Sequence, residues 1–91
     1  MLKEYTVQDI LPHNTKKSLF VVIHDKVYDA TDFVDDHPGG RQLLFDQGGN
    51  DATEPFDEVE HSSQAMEVLE SIHIGSLKRR AGDSALWPLI N

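Results

Sequence analysis

Residues 36–40 read Asp36-His37-Pro38-Gly39-Gly40, and this run governs how the remainder of the chain is read. The ring of Pro38 holds the backbone of His37 extended, so the imidazole stands on a turn and not inside a helix. Gly39 and Gly40 carry no Cβ, which lets another group come close to the main chain just behind the histidine. A second histidine, His61, follows 24 residues later, between two segments with helical patterns. Taken singly, His37 is equally well explained as the exposed neighbour of a Pro-Gly turn, and His61 is better explained as a surface-loop residue.

Toward the amino terminus, Thr6 caps a short helix that carries Val7, Ile10 and Leu11 and that Pro12 restricts from continuing. Leu19 to Ile23 is rich in β-branched and aromatic residues. A polar turn at His24, Asp25 and Lys26 leads from it into Val27-Tyr28, the pattern of a hairpin. From Thr31 onward the pattern changes to short helical pieces separated by glycine and proline: 31–36, then 40–47 with Leu43, Leu44 and Phe45, stopped by Gly48-Gly49. Thr53 is placed to cap a third piece with Pro55 in its first turn. Ser62 or Ser63 is placed to cap a fourth that carries Ala65, Met66, Val68 and Leu69. Ile72, Ile74 and Leu77 alternate as in a strand that rejoins the early sheet. The expected fold class is α+β: a small mixed β-sheet with two short helix pairs forming a cleft over residues 1–78, followed by a loose tail over 79–91.

Composition narrows the function. At 91 residues there is room for one domain whose core of side chains alone is thin, so a bound cofactor would add to it. There is no cysteine, which removes disulfides, thiolate metal sites, iron–sulfur clusters and thiol nucleophiles together. Sixteen acids against eight bases leave a net charge of −8, which argues against nucleic acid as a partner because phosphates must be met by Lys and Arg. The longest apolar tail, Ala85 to Ile90, falls far short of the roughly 20 residues that span a bilayer. No nucleophile elbow, phosphate loop or zinc-protease helix is present, so the chain reads as something other than an enzyme.

Two imidazoles on opposed helix–turn junctions can face each other across a gap. A flat iron porphyrin in that gap would take one imidazole on each face, and neither axial position would remain open for oxygen or substrate. Phe33, Leu44, Phe56, Val59 and Met66 bracket the two histidines and are able to line an apolar slot, although residues at such spacing are more often plain core.

The segments Lys26-Val27-Tyr28-Asp29, His37-Pro38-Gly39-Gly40, Asp51-Ala52-Thr53-Glu54, Phe56, His61-Ser62 and Ile74-Gly75 occur in the order and at the spacings of the cytochrome b5 family. The chain resembles that family from about Tyr5 to Leu77. The resemblance implies a cytochrome b5-like fold and one non-covalent haem b per chain, with His37 and His61 as axial iron ligands. Each ligand would donate its other ring nitrogen to a backbone carbonyl, near Gly40 or Phe56. It further implies a cofactor site made by Pro38, Gly39 and Gly40 at the first ligand turn and by Phe33, Leu44, Phe56, Val59, Ala65 and Val68 along the pocket. Ser62 would meet a haem propionate, and the same serine can also cap a helix. Four positions depart from the family pattern: Phe20 stands where tryptophan is common, Asn50 and Glu60 where glycine is usual, and His73 in place of an aliphatic residue. Glu60 adds negative charge beside a ligand, so no reduction potential carries over. His73 reads as a partly buried histidine beside a strand, and His13 and His24 as surface residues.

Between Asp32 and His61 stand nine acids, Asp32, Asp35, Asp36, Asp46, Asp51, Glu54, Asp57, Glu58 and Glu60, against the single base Arg41. Individually these are solvated helix surface; together they can steer a basic partner toward an exposed haem edge. The family implies a flavoprotein reductase as donor and a desaturase, hydroxylase or P450-type oxidase as acceptor. The expectation is therefore a soluble, monomeric, cytoplasmic carrier of single electrons, or the soluble part of a protein tethered to the endoplasmic reticulum. Two other readings stay open: a haem- or steroid-binding regulatory module, which normally lacks this histidine pair, and a module excised from a larger redox enzyme.

Overall fold

The computed structural model describes residues 3–33, 45–58 and 63–79. Its elements are β1 (Lys3–Tyr5), α1 (Val7–Ile10), β2 (Asn14–Thr15), β3 (Ser18–Ile23), β4 (Lys26–Asp29), α2 (Thr53–Asp57), α3 (Ser63–Ser71) and β5 (His73–Leu77). The strands form one mixed sheet in the order β1-β5-β4-β3-β2, in which β1 runs parallel to β5 and the other pairs are antiparallel. This is the α+β class expected. Of the four helical pieces, α2 and α3 correspond to the third and fourth; residues 45–47 of the second are helical, and residues 31–33 of the first form a turn.

α1 begins where Thr6 and Asp9 satisfy each other: the Asp9 amide donates to Thr6 Oγ1 at 3.2 Å and the Thr6 amide to Asp9 Oδ2 at 2.9 Å. This reciprocal box caps a helix too short to persist on propensity. Val7 and Ile10 are its buried residues.

β3 carries an unbroken apolar run because both faces of the sheet are covered there. Its even residues, Phe20 and Val22, pack with Val7, Ile10, Val27 and Leu77 on the α1 side. Its odd residues, Val21 and Ile23, pack with Tyr28 and Ala52 on the other, and Leu19 with Ala30. Strand alternation thus divides one run between two cores.

Several details correct the sequence reading. The hairpin tip comprises only His24 and Asp25, with φ of 51° and 61°, while Lys26 already pairs with Ile23. Two successive left-handed residues match the twist of a two-residue hairpin, and short polar side chains tolerate that conformation better than most. Thr53 does not cap α2. Ala52 holds the cap position without a side-chain bond, and Asp51 Oδ1 accepts the Thr53 amide at 2.9 Å and its hydroxyl at 2.5 Å. β1 and β2 were not expected, because three and two residues of polar or exposed character show no alternation to read. β1 is held by β5, where a Cβ on Gly75 would collide with the Lys3 carbonyl oxygen and the Tyr5 ring.

Candidate functional site

The sheet face away from α1 is where the expected pocket residues converge. Leu19 and Ala30 form a buried pair against which Phe33, Phe45 and Ile72 pack. Beside it, Val21, Ile23, Tyr28 and Ala52 receive Phe56 from α2 and Leu69 from α3. Ile72 belongs to both groups, so Phe33 and Phe56, 23 residues apart in sequence, line one continuous apolar surface.

α3 completes that surface only in part. Ala65, Val68, Leu69 and Ile72 follow the spacing of one helical stripe, yet no residue of α3 is fully buried. Leu69 reaches the core, Ala65 lies exposed and Val68 keeps 41% of its surface in water. The other exposed large apolar residue, Met66, lies off this stripe at 47%. A helix that turns valine toward solvent beside a half-packed aromatic surface is shaped to be covered by something flat and apolar.

Of the expected site residues, Phe33, Phe56, Ala65 and Val68 lie in the described parts of the chain. His37, Pro38, Gly39, Gly40, Leu44, Val59, His61 and Ser62 lie outside them. Among the described residues no group of three or more His, Asp or Glu side chains could hold a metal ion. Sequence reading did not include Leu19, Ala30, Phe45, Leu69 and Ile72 in the apolar surface. Leu69 and Ile72 were findable by extending the stripe from Ala65 and Val68 by one and two positions.

The three histidines with described surroundings are committed to local bonds. His13, expected at the surface, is instead half-buried: its ring stacks on Phe20 with centroids 3.9 Å apart, and Nδ1 lies 2.6 Å from Ser18 Oγ. His24 is exposed, with Nε2 2.9 Å from Asp57 Oδ1. His73 is partly buried in β5, with Nε2 2.8 Å from the Gly75 carbonyl and its ring 5.3 Å from Tyr28. Burial, and after it the Glu70 carboxylate, pushes the Tyr28 phenol above its ordinary pKa.

The acids divide as well. Asp32, Asp46, Glu54, Asp57 and Glu58 are exposed, whereas the side chain of Asp51 is only 14% exposed and is occupied by Thr53 and Arg79. Asp51 is thus removed from any steering surface. Arg79 is held protonated above its already high value, chiefly by its hydrogen bond to Asp25.

A family model described as "Cytochrome b5-like Heme/Steroid binding domain" matches residues 6–78, most of the chain. The chain belongs to the cytochrome b5 family. It is 59% identical over 83 residues to a probable cytochrome b5 of Neurospora crassa, covering 91% of this chain and 60% of that protein. It is 46% identical over 76 residues to cytochrome b5 of Sus scrofa, covering 84% of this chain and 57% of that one. The chain therefore spans about 60% of the length of these cytochrome b5 relatives. Among solved structures, cytochrome b558 of Ectothiorhodospira vacuolata, a prokaryotic homologue of cytochrome b5, superposes with a TM-score of 0.75 at 31% identity, covering 85% of this chain and all of that one. Cytochrome b5 of Ostreococcus tauri virus 2 gives 0.70 at 36% identity, covering 80% and 94%. These relatives bear the name of a cytochrome, an electron carrier and not an enzyme. The cytochrome b5 fold inferred from sequence is the fold observed, and no described helix is long and apolar enough to cross a membrane.

Proposed function

We propose that this chain is a b-type cytochrome that carries single electrons through one haem b held between His37 and His61. The observation that carries the reading is the open apolar face made by Phe33, Phe56, Ile72 and the exposed Val68, in a chain of the cytochrome b5 family. When bound, haem b would supply a one-electron iron couple. His37 and His61 would fill both axial positions, so the protein itself denies oxygen and carbon monoxide a place. Phe33, Leu44, Phe56, Val59, Ala65 and Val68 would exclude water from the macrocycle faces, with Pro38, Gly39 and Gly40 shaping the turn of the first ligand. Ser62 would donate to a propionate. The exposed acids, Glu54, Asp57 and Glu58 among them, would draw a basic flavoprotein reductase as donor and a desaturase, hydroxylase or P450-type protein as acceptor. The carrier would work as a monomer in the cytoplasm, free or as the water-exposed part of a tethered protein.

The test is an absorption spectrum of the protein before and after dithionite, with and without carbon monoxide. A low-spin spectrum in both oxidation states and no carbon monoxide adduct are expected. His37→Ala or His61→Ala should open a position and loosen the haem, and His73→Ala should do neither. Rapid stoichiometric carbon monoxide binding at neutral pH, or a low-spin spectrum lost with His73 and kept without His61, refutes the ligand pair. A chain that takes up no haem refutes the reading as a whole and returns the regulatory alternative.

A further inference from the structure

A polar relay fastens α2 to the hairpin tip on the side of the domain that the apolar face does not use. Arg79, two residues beyond β5, folds back so that its Nη2 donates to Asp25 Oδ1 at 2.9 Å and to Asp51 Oδ2 at 3.1 Å. Its Nε adds a third bond to Asp25 Oδ1 at 3.2 Å. Asp51 uses its other oxygen on the Thr53 amide and hydroxyl at the start of α2. The Thr53 hydroxyl in turn accepts the His24 amide at 2.9 Å, and the His24 ring meets Asp57, the last residue of α2. Both ends of α2 are thus tied to the two left-handed residues of the tip, and Arg79 cross-links that tip to the residue from which α2 departs.

The relay matters because packing holds α2 weakly. None of its residues is fully buried, its cap position makes no side-chain bond, and Phe56 is only half-buried. With so little area removed from water, hydrogen bonds to Asp51 and His24 decide where the helix lies. Arg79 decides where Asp51 points: a planar guanidinium spans two carboxylates at fixed angles, which a lysine ammonium cannot reproduce. Asp57 stands four residues before His61 in the sequence.

We propose that Arg79 is a positioning residue for the haem cleft: it locks Asp51 between the hairpin tip and Thr53, and so sets α2 and the stretch of chain that presents His61. Only the final step, from α2 to His61, rests on the haem reading above.

The test compares Arg79→Ala and Arg79→Lys with the parent protein, using Lys16→Ala as a distant control. Amide exchange is followed with and without haem, together with the rate at which haem passes to apomyoglobin. Arg79→Ala should speed exchange across Thr53–Glu58 by about tenfold while the sheet amides of Val22 and Val27 stay within about twofold, because the lost bonds act locally. Haem loss should rise about three- to tenfold, with Arg79→Lys recovering part of both effects. Unchanged exchange over 53–58, or equal acceleration throughout the sheet, overturns the clamp. Local loosening with unaltered haem loss overturns its link to His61. If the chain takes up no haem, the haem reading itself has failed, and exchange in the haem-free protein still decides whether Arg79 holds α2.

Discussion

Val68 tests the cleft most directly, because the fraction of its surface left in water is the fraction a bound macrocycle would cover. Val68→Ala removes about two methylene equivalents, worth about 1.6 kcal/mol on complete burial at roughly 0.8 kcal/mol each. With 41% of the residue exposed in the haem-free chain, about 1 kcal/mol of that belongs to the fold alone and about 0.6 kcal/mol to the haem-bound state. Alanine is also the better helix former by several tenths of a kcal/mol, which offsets part of the loss in both states and cancels in the affinity. Haem affinity should therefore fall roughly threefold, while the haem-free melting temperature drops by only a few degrees. The assay is haem transfer to apomyoglobin alongside thermal melts of both forms, with Glu67→Ala on the same helix as control. If Glu67→Ala weakens haem as much as Val68→Ala does, the stripe through Ala65, Val68 and Leu69 does not face the cofactor.

Tyr28→Phe should alter stability only in alkali. Below about pH 10 the phenol is neutral folded and unfolded; above it the unfolded chain ionises first, because the folded value is raised, so stability falls as pH climbs. Urea midpoints between about pH 9 and 11 should decline less steeply in the variant, and parallel declines contradict the assignment. Electron uptake from a basic partner should slow as salt rises, since screening acts over about 8 Å at physiological ionic strength. Glu54→Gln with Glu58→Gln should flatten that dependence in stopped flow, and a rate that climbs with salt rules out steering by these acids. Haem at a hundredfold excess over its dissociation constant should add about 2.7 kcal/mol, raising the melting temperature by roughly 10–20 °C in a domain of this size. Equal melting of the two forms would show that the apolar face needs no cofactor.

The legible parts of the fold are those where one local signal and one tertiary role coincide. Thr6 and Asp9 announce α1 because their bonds close within four residues, and Leu19 to Ile23 announces β3 because an apolar β-branched run suits a strand covered on both faces. β1 and β2 are illegible for the opposite reason: their residues show no pattern of their own, and β1 becomes a strand only because β5 runs alongside it. Thr53 misleads because a threonine before a helical pattern is the usual cap, whereas here the residue two positions earlier takes the role through its carboxylate. His13 misleads because only the register Asn14–Leu19 brings its ring over Phe20. Within the cleft, aromatic residues could be chosen from the sequence, but Leu69 and Ile72 required knowing which face of α3 meets the sheet. The Arg79–Asp51 bond, spanning 28 positions, has no local signature at all.

These observations separate what makes the domain stable from what makes it able to bind. The largest fully buried side chains, Ile10, Leu19, Val22 and Val27, all belong to α1 or to the β3–β4 hairpin, and three of the four pack on the α1 side of the sheet. α2 and α3 bury none of their residues completely. A cleft wall with its own complete core would close on itself and leave no apolar face for a ligand; a wall with no fixed position would bind one slowly and loosely. The chain resolves the conflict by fixing α2 with directional bonds, from Asp51, Thr53, His24 and Arg79, while leaving apolar area of α3 uncovered. Hydrogen bonds specify position at little net free energy, and the uncovered area keeps its transfer energy in reserve for the cofactor. On this account, filling the cleft with larger side chains would stabilise the haem-free protein and weaken haem binding together, whereas loosening the Arg79 relay would weaken binding with little change in the sheet.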